Sequence, residues 1–187
     1  ASSLTGIGTQ TFALNANNLA ASSAVESISH GGSSGDNTLI DGAIYDFIIQ
    51  SRDTLLNTIV FDTVSNVEID LSTEIPTLES PSNGSTVSNT IIATFELLEA
   101  ALSESVKLVI SDPSGLDENS PHILVLGSSF ETMGTHSINI PTSELSSAVG
   151  VSSVSSGSSD KLLHGLNYQM EVRMQDDIGN SAASSTK

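Results

Sequence analysis

The feature that most constrains this chain is an internal repeat. The segment Leu39-Ile40-Asp41-Gly42-Ala43-Ile44-Tyr45 returns as Leu162-Leu163-His164-Gly165-Leu166-Asn167-Tyr168, and these are the only two tyrosines. Each tyrosine opens a strand-like run that ends in an Asp with an Asn four residues on: Asp53 and Asn57, then Asp176 and Asn180. Upstream, Gly8-Thr9-Gln10-Thr11-Phe12-Ala13-Leu14 matches Gly134-Thr135-His136-Ser137-Ile138-Asn139-Ile140. The offset is 126 residues from Gly8 to Gly134 and 123 from Tyr45 to Tyr168. The difference falls in a Gly/Ser-rich stretch, as length variation in a surface loop does. A period of this size exceeds any solenoid unit and matches a whole domain, so each repeat should have its own core.

The periodicity inside the repeat is two. Tyr168, Met170, Val172 and Met174 alternate with Gln169, Glu171, Arg173 and Gln175, the mark of a strand with one apolar and one wet face. Ile91, Ala93, Phe95 and Leu97 form another inward row, blurred by Ile92 and Leu98, and Val106, Leu108 and Ile110 a third. Seven strands are expected, near 76–80, 87–97, 104–111, 121–127, 134–140, 166–175 and 180–186. Turn formers separate them at Pro81-Ser82-Asn83-Gly84, Asp112-Pro113-Ser114-Gly115 and Asp176-Asp177-Ile178-Gly179-Asn180. Residues 141–162 read as a long connection, with a short helix at Thr142 to Ala148 capped by Thr142-Ser143-Glu144.

The fold class expected is therefore all-β, with tandem β-sandwiches of about seven strands per complete unit. Residues 1–63 correspond to the last three strands of a first unit, 64–75 to a linker stiffened by Pro76, and 76–187 to a complete second unit. A three-stranded half-sandwich exposes its core face. Completion by an upstream segment or by a neighbouring copy is expected.

Composition narrows the partners. A net charge of −17, with 22 acidic and 5 basic residues, leaves no basic patch to displace counterions from nucleic acid. It also disfavours docking on an anionic membrane surface. Such charge keeps extended proteins apart in solution and invites cations. With no cysteine, disulfides, thiolate metal sites and cysteine nucleophiles are excluded. No apolar run is long enough to span a membrane.

The series Asp70, Pro76-Thr77-Leu78, Ser80-Pro81, Asn83-Gly84-Ser85, an alternating strand, Gly165-x-x-Tyr168 and Asp176-Asp177-Ile178-Gly179-Asn180 resembles the tandem immunoglobulin-like and fibronectin-III-like repeats of giant extracellular surface, adhesin or fibre proteins of bacteria, algae and other protists. The likeness covers nearly the whole chain. It implies an extracellular or cell-surface location and a mechanical role. In the first unit Leu56 stands where the second has Gly179, so the turn after Asp53 should differ. The cadherin calcium signatures are absent.

Most polar residues that invite a chemical role have a structural one available. Tyr45 and Tyr168, each three residues after a glycine (Gly42, Gly165), fit the tyrosine corner, in which the hydroxyl bonds backbone just upstream. Asp53 with Asn57, and Asp176 with Asn180, suit turn chemistry, with Gly179 free to take a positive φ. Calcium is possible at two places, though no cofactor is required. One is the acidic loop Asp112, Asp117, Glu118 and Asn119; the other is the junction, where Asp70, Glu74 and Glu79 would meet the turn at Asp53. Neither has an EF-hand spacing. His30, His122, His136 and His164 lack zinc spacing, and His136 and His164 replace Gln10 and Asp41 of the first unit. No nucleophile elbow, phosphate loop or dinucleotide fingerprint occurs, so no enzyme is expected. Asn83 heads the N-glycosylation sequon Asn83-Gly84-Ser85.

Three functions follow as expectations. The first is a structural segment of a long fibre, whose partners are neighbouring repeats or copies. The second is an adhesin segment binding glycan or protein through the loops 15–38 and 141–162, which carry no aromatic residue for stacking. The third is an accessory domain of a secreted hydrolase.

Overall fold

The computed structural model of the chain describes residues 9–22, 37–51, 55 and 59–187. The chain divides into two compact units, Ala1–Leu71 and Ser72–Lys187. All described strand pairs are antiparallel, and no α-helix occurs among the described residues.

The first unit holds one hairpin, β1 (Ile44–Ser51) with β2 (Val60–Glu68). Val64 to Glu68, expected to begin the linker, belong to β2 and pair with residues 44–47 of β1. Only residues 69–76 run without strand before the second unit's first strand.

In the second unit, β3 (Thr77–Ser80), β4 (Thr90–Leu97) and β7 (Gly134–Pro141) form one sheet in the order β3-β4-β7. The other sheet contains β5 (Lys107–Ser111), β6 (His122–Leu126), β8 (Val151–Ser155), β9 (Gln169–Gln175) and β10 (Ser181–Ala183), in the order β10-β9-β5-β6-β8. One hydrophobic core draws on both sheets, from Leu78, Phe95 and Ile140 on one side to Leu108, Leu124 and Val172 on the other, which is a sandwich-like arrangement. Alternation sets the inward side. Ile91, Ala93, Phe95 and Leu97 are buried, while Ile92 and Leu98 face out, so the blur in that row is a wet face carrying two apolar residues. Phe95 sits centrally, its ring centroid 6.2 Å from that of Phe130 and 5.4 Å from that of His136. Burying each large side chain here contributes about 1.5–3 kcal/mol.

Residues 141–162 depart from expectation. They contain an eighth strand, β8, on the edge of β6. Val151 and Val154 are three residues apart, a spacing that breaks strand alternation. A register shift between Val125 and Leu126 sets Val154 opposite Leu124 and Val151 opposite Leu126, so both valines reach the core side. The expected helix at 142–148 is a single 3-10 turn, Leu145–Ser147, with no side-chain cap from Thr142, Ser143 or Glu144. Asp160 holds it instead: its carbonyl accepts from the Leu145 amide (2.9 Å) and its carboxylate from the Ser146 amide (3.0 Å).

Among the described residues, the first unit repeats the backbone bonds around this turn. Its 3-10 turn is Leu19–Ala21, flanked by Asn18 at φ −160°, ψ 85°, against Glu144 at φ −162°, ψ 90°. The Leu19 amide donates to the Asn37 carbonyl (2.7 Å), as Leu145 does to Asp160. The Leu39 amide donates to Ala16 (2.7 Å), as Leu162 does to Thr142 (2.9 Å). In each bond the residue before the Gly/Ser-rich stretch lies 126 positions from its counterpart and the residue after it 123, the two offsets found in the sequence. Strand register agrees as well: Phe47 opposes Val64, and Met170 exchanges both backbone bonds (3.0 Å each) with Lys187. Nearer the turn the hairpins differ by one residue, because Val60 opposes Ser51 whereas Ala183 opposes Arg173, the counterpart of Gln50.

Candidate functional site

The two tyrosines are tied alike. The Tyr45 hydroxyl accepts from the Ile40 amide (2.9 Å) and the Tyr168 hydroxyl from the Leu163 amide (2.9 Å), each donor five residues upstream. The chain can double back this tightly because Gly42 (φ +70°) and Gly165 (φ +81°) take the left-handed conformation that a side chain disfavours. In each case the hydroxyl bonds backbone just upstream of the tyrosine's own strand.

Beyond the corner the two sites differ. Tyr168 donates its hydroxyl proton to Asp117 Oδ2 (2.7 Å), and Asp117 is the centre of a buried polar network. The network starts where β5 ends. Asp112 turns its carboxylate back into its own loop and accepts from the Ser114 amide (2.8 Å), the Ser114 hydroxyl (2.5 Å), the Leu116 amide (2.7 Å) and the Asp117 amide (2.8 Å). That fold of the loop carries Asp117 inward. Its Oδ1 accepts from the Asn119 amide (3.0 Å), and its Oδ2 meets His122 Nε2 at 2.9 Å as well as Tyr168.

Burial opposes ionisation of Asp117. The hydrogen bonds from His122, Tyr168 and the Asn119 amide outweigh it and hold the pKa at about 2, below the usual 3.8. The ionised carboxylate only accepts, so His122 carries its proton on Nε2. Its Nδ1 is buried without a hydrogen-bond partner. Burial, followed by the bond to Asp117, pushes Tyr168 up to about 12. The Ser114 hydroxyl foremost, with the Asp117 amide next, holds Asp112 below its usual value. Asn119 extends the network to the far loop, its Oδ1 accepting from the Ser158 amide (2.6 Å), the Ser158 hydroxyl (3.0 Å) and the Ser159 amide (3.1 Å).

The network ties the Asp112–Asn119 loop to β6, to Tyr168 and to the loop at Ser158. The His122 and Asp117 side chains have no exposed surface, and Tyr168, half-buried, is the member of the network that reaches the cleft beside it. The acidic loop, expected as a cluster of hard oxygens for calcium, faces the other way. Four donors fill the four lone-pair sites of Asp112, leaving none for a cation, and Glu118 is exposed apart from them. At the junction, Asp70 falls in the first unit and Glu74 in the second, while Glu79 is exposed on β3 and Asp53 and Asn57 lie outside the described residues. The Glu74 amide donates to Glu99 (2.6 Å), and so does the Thr73 hydroxyl. Among the described residues, no group of three or more His, Asp or Glu could hold a metal ion.

Asp176 is a buried turn former. Its Oδ1 accepts from the amides of Ile178 (3.1 Å), Gly179 (2.7 Å) and Asn180 (2.8 Å), and its Oδ2 from the Asn180 side chain (2.8 Å). Gly179 has φ +101°. Asn83 is exposed on the turn closed by the Ser85 amide on Ser82 (3.1 Å), open to a glycan. Its turn borders a cleft of about 440 Å³ floored by Ile91, Ile110, Leu162, Leu166 and Met170 beside Tyr168. Among the histidines, His164 is exposed and His30 is outside the described residues. His136 packs on Phe95 and Phe130 and donates to the Thr132 carbonyl (2.7 Å).

Sequence reasoning gave His122 no role. Its signal was alternation: it lies two and four residues before the inward Leu124 and Leu126, which puts a histidine on the core face and demands a buried partner.

No family model, no curated protein and no solved structure matches the chain.

Proposed function

We propose that the chain is a structural segment of a long extracellular fibre, stalk or filament, such as a cell-surface or flagellar appendage, built from tandem immunoglobulin-like or fibronectin-III-like repeats. The observation that carries this reading is the recurrence of the same backbone bonds at Leu19–Asn37 and Leu145–Asp160, and of the same tyrosine bond at Tyr45 and Tyr168. A local plan repeated at domain spacing suits a spacer, whose work is to set length and stiffness. The strand order supports the finer assignment, since β3-β4-β7 facing β10-β9-β5-β6 is the arrangement of a fibronectin-III-like sandwich, with β8 added at the edge. The polar groups support the mechanical role: Asp112, Asp117, His122, Tyr168 and Asp176 all bond within the fold.

The adhesin alternative has less to work with than the sequence offered, because much of 141–162 is taken up by the 3-10 turn and β8. Electron microscopy of the native material tests the reading. Periodic filaments labelled by an antibody to this chain are the expected result. Dispersed molecules that bind a glycan array would overturn it.

A further inference from the structure

Asn83 is the one asparagine in the chain that is followed by glycine. The side-chain carbonyl carbon of an asparagine lies within reach of the next residue's backbone nitrogen, and attack there closes a five-membered succinimide ring. The attack is favoured by an amide free of hydrogen bonds, by the lack of a Cβ beside it, and by a backbone that can swing. The turn at Asn83 meets each condition. Asn83 and Gly84 are its central residues, both exposed, and the Ser85 amide closes it on the Ser82 carbonyl. Gly84 has φ +72°, and the space where a Cβ would sit is open. Among the described residues, neither the Asn83 side chain nor the Gly84 amide has a hydrogen-bond partner.

The chain's Asn-Ser and Asp-Gly positions, which can close the same ring, are held. Asn119 precedes Ser120, but its Oδ1 accepts from Ser158 and Ser159, and the Ser120 amide donates to the Asp117 carbonyl (3.0 Å). Asn180 precedes Ser181, but its side-chain nitrogen donates to Asp176 (2.8 Å) and to the Ser72 carbonyl (3.2 Å). Asp41 precedes Gly42, but the Gly42 amide donates to the Ile69 carbonyl (2.7 Å). We infer that Asn83 is a site of spontaneous deamidation, left open by its turn while the fold shields these other positions. In the first step the Gly84 nitrogen bonds to Asn83 Cγ and ammonia leaves. Water then opens the ring at either carbonyl. One opening gives aspartate; the other reroutes the backbone through Cγ and gives isoaspartate. The net change is asparagine plus water to acid plus ammonia. The nitrogen expelled is Nδ2, the atom that the sequon would glycosylate, so a glycan and deamidation exclude one another at Asn83. The new carboxylate adds one negative charge to the net −17. It does so beside a cleft whose described lining includes His164 and Lys187 and no acidic residue.

The test holds the 187-residue chain, produced without glycosylation, in neutral buffer made with heavy-oxygen water. Peptides are read by mass spectrometry over time. Heavy oxygen should enter at residue 83 first, as aspartate and isoaspartate, while Asn119 and Asn180 remain intact. In urea, where the bonds of the fold are gone, the lead of Asn83 over Asn119 should shrink. Gly84→Ala should slow conversion at residue 83 several-fold. Asn83→Gln leaves Gly84 in place and should abolish conversion there, which decides the matter if the first variant disturbs the turn. Asn83 intact after Asn119 or Asn180 has reacted would overturn the inference. So would an equal lead in urea and in buffer, because the fold would then shield nothing. The result does not depend on whether the chain forms filaments.

Discussion

Tyr168→Phe separates the shared corner from the network built on one copy of it. The phenol oxygen of Tyr168 accepts one amide proton, from Leu163, and donates its own to Asp117. The first bond is neutral and its donor residue is exposed, so losing it costs about 1 kcal/mol. The second involves an ionised, buried carboxylate, for which about 1.5–3 kcal/mol applies. Together the substitution should cost about 2.5–4 kcal/mol. Tyr45→Phe loses only the bond from Ile40, about 1 kcal/mol or less. For a domain of this size the Tyr168 change should lower the midpoint of thermal unfolding by roughly 10 °C or more. Circular dichroism in urea and on heating measures both variants. A double-mutant cycle with Asp117→Asn isolates the pairwise term, which should exceed about 1 kcal/mol. If both Tyr→Phe variants lose the same stability, or if the coupling is within error of zero, the assignment of Asp117 as the partner is wrong.

Asp117 also sets a pH response. Its folded pKa of about 2 lies below the unfolded value, so its stabilisation is present above pH 4 and lost as pH falls towards 2. Asp117→Asn should flatten urea midpoints across that window, and an unchanged slope would refute this. Phe95→Ala, at a side chain with no exposed surface, should cost about 3–5 kcal/mol in denaturant unfolding. A Cβ at position 157 would lie 2.7 Å from Asn119 Oδ1 and 2.9 Å from Asn119 Cα, so Gly157→Ala should break the Asn119 clamp and cost about 2 kcal/mol. Removing calcium with a chelator should leave the second unit's melting midpoint unchanged; a fall of several degrees would show that the Asp112 oxygens are not saturated by their own loop.

Much of the fold was legible in the sequence because alternation and repetition are local signals. The inward rows of β4, β5 and β9 follow from period two, and the pairing of Phe47 with Val64 follows the same offset as Tyr45 and Tyr168. The eighth strand was hidden because its bulge sets Val151 and Val154 three residues apart and mimics an irregular loop. Two strands, not three, form in the first unit among the described residues, because a strand needs a partner and residues 9–15 have none in place of β4. The candidate site was less legible. Spacing shows that Asp112, Asp117, Glu118 and Asn119 are neighbours but not which way a carboxylate turns. That direction depends on Ser114 and the amides of the turn, and on Tyr168, 51 residues away from Asp117.

The placement of the tyrosines has a practical consequence. The chain contains two of them, one in each unit, and no tryptophan to mask their emission. Tyr168 donates to a carboxylate in the folded state, an arrangement that quenches phenol fluorescence, so unfolding of the second unit should brighten it. Tyr45 has the amide bond and, among the described residues, no carboxylate partner. The protein therefore carries an intrinsic optical label on each half, and the response of either unit to force or heat can be followed without attaching a dye.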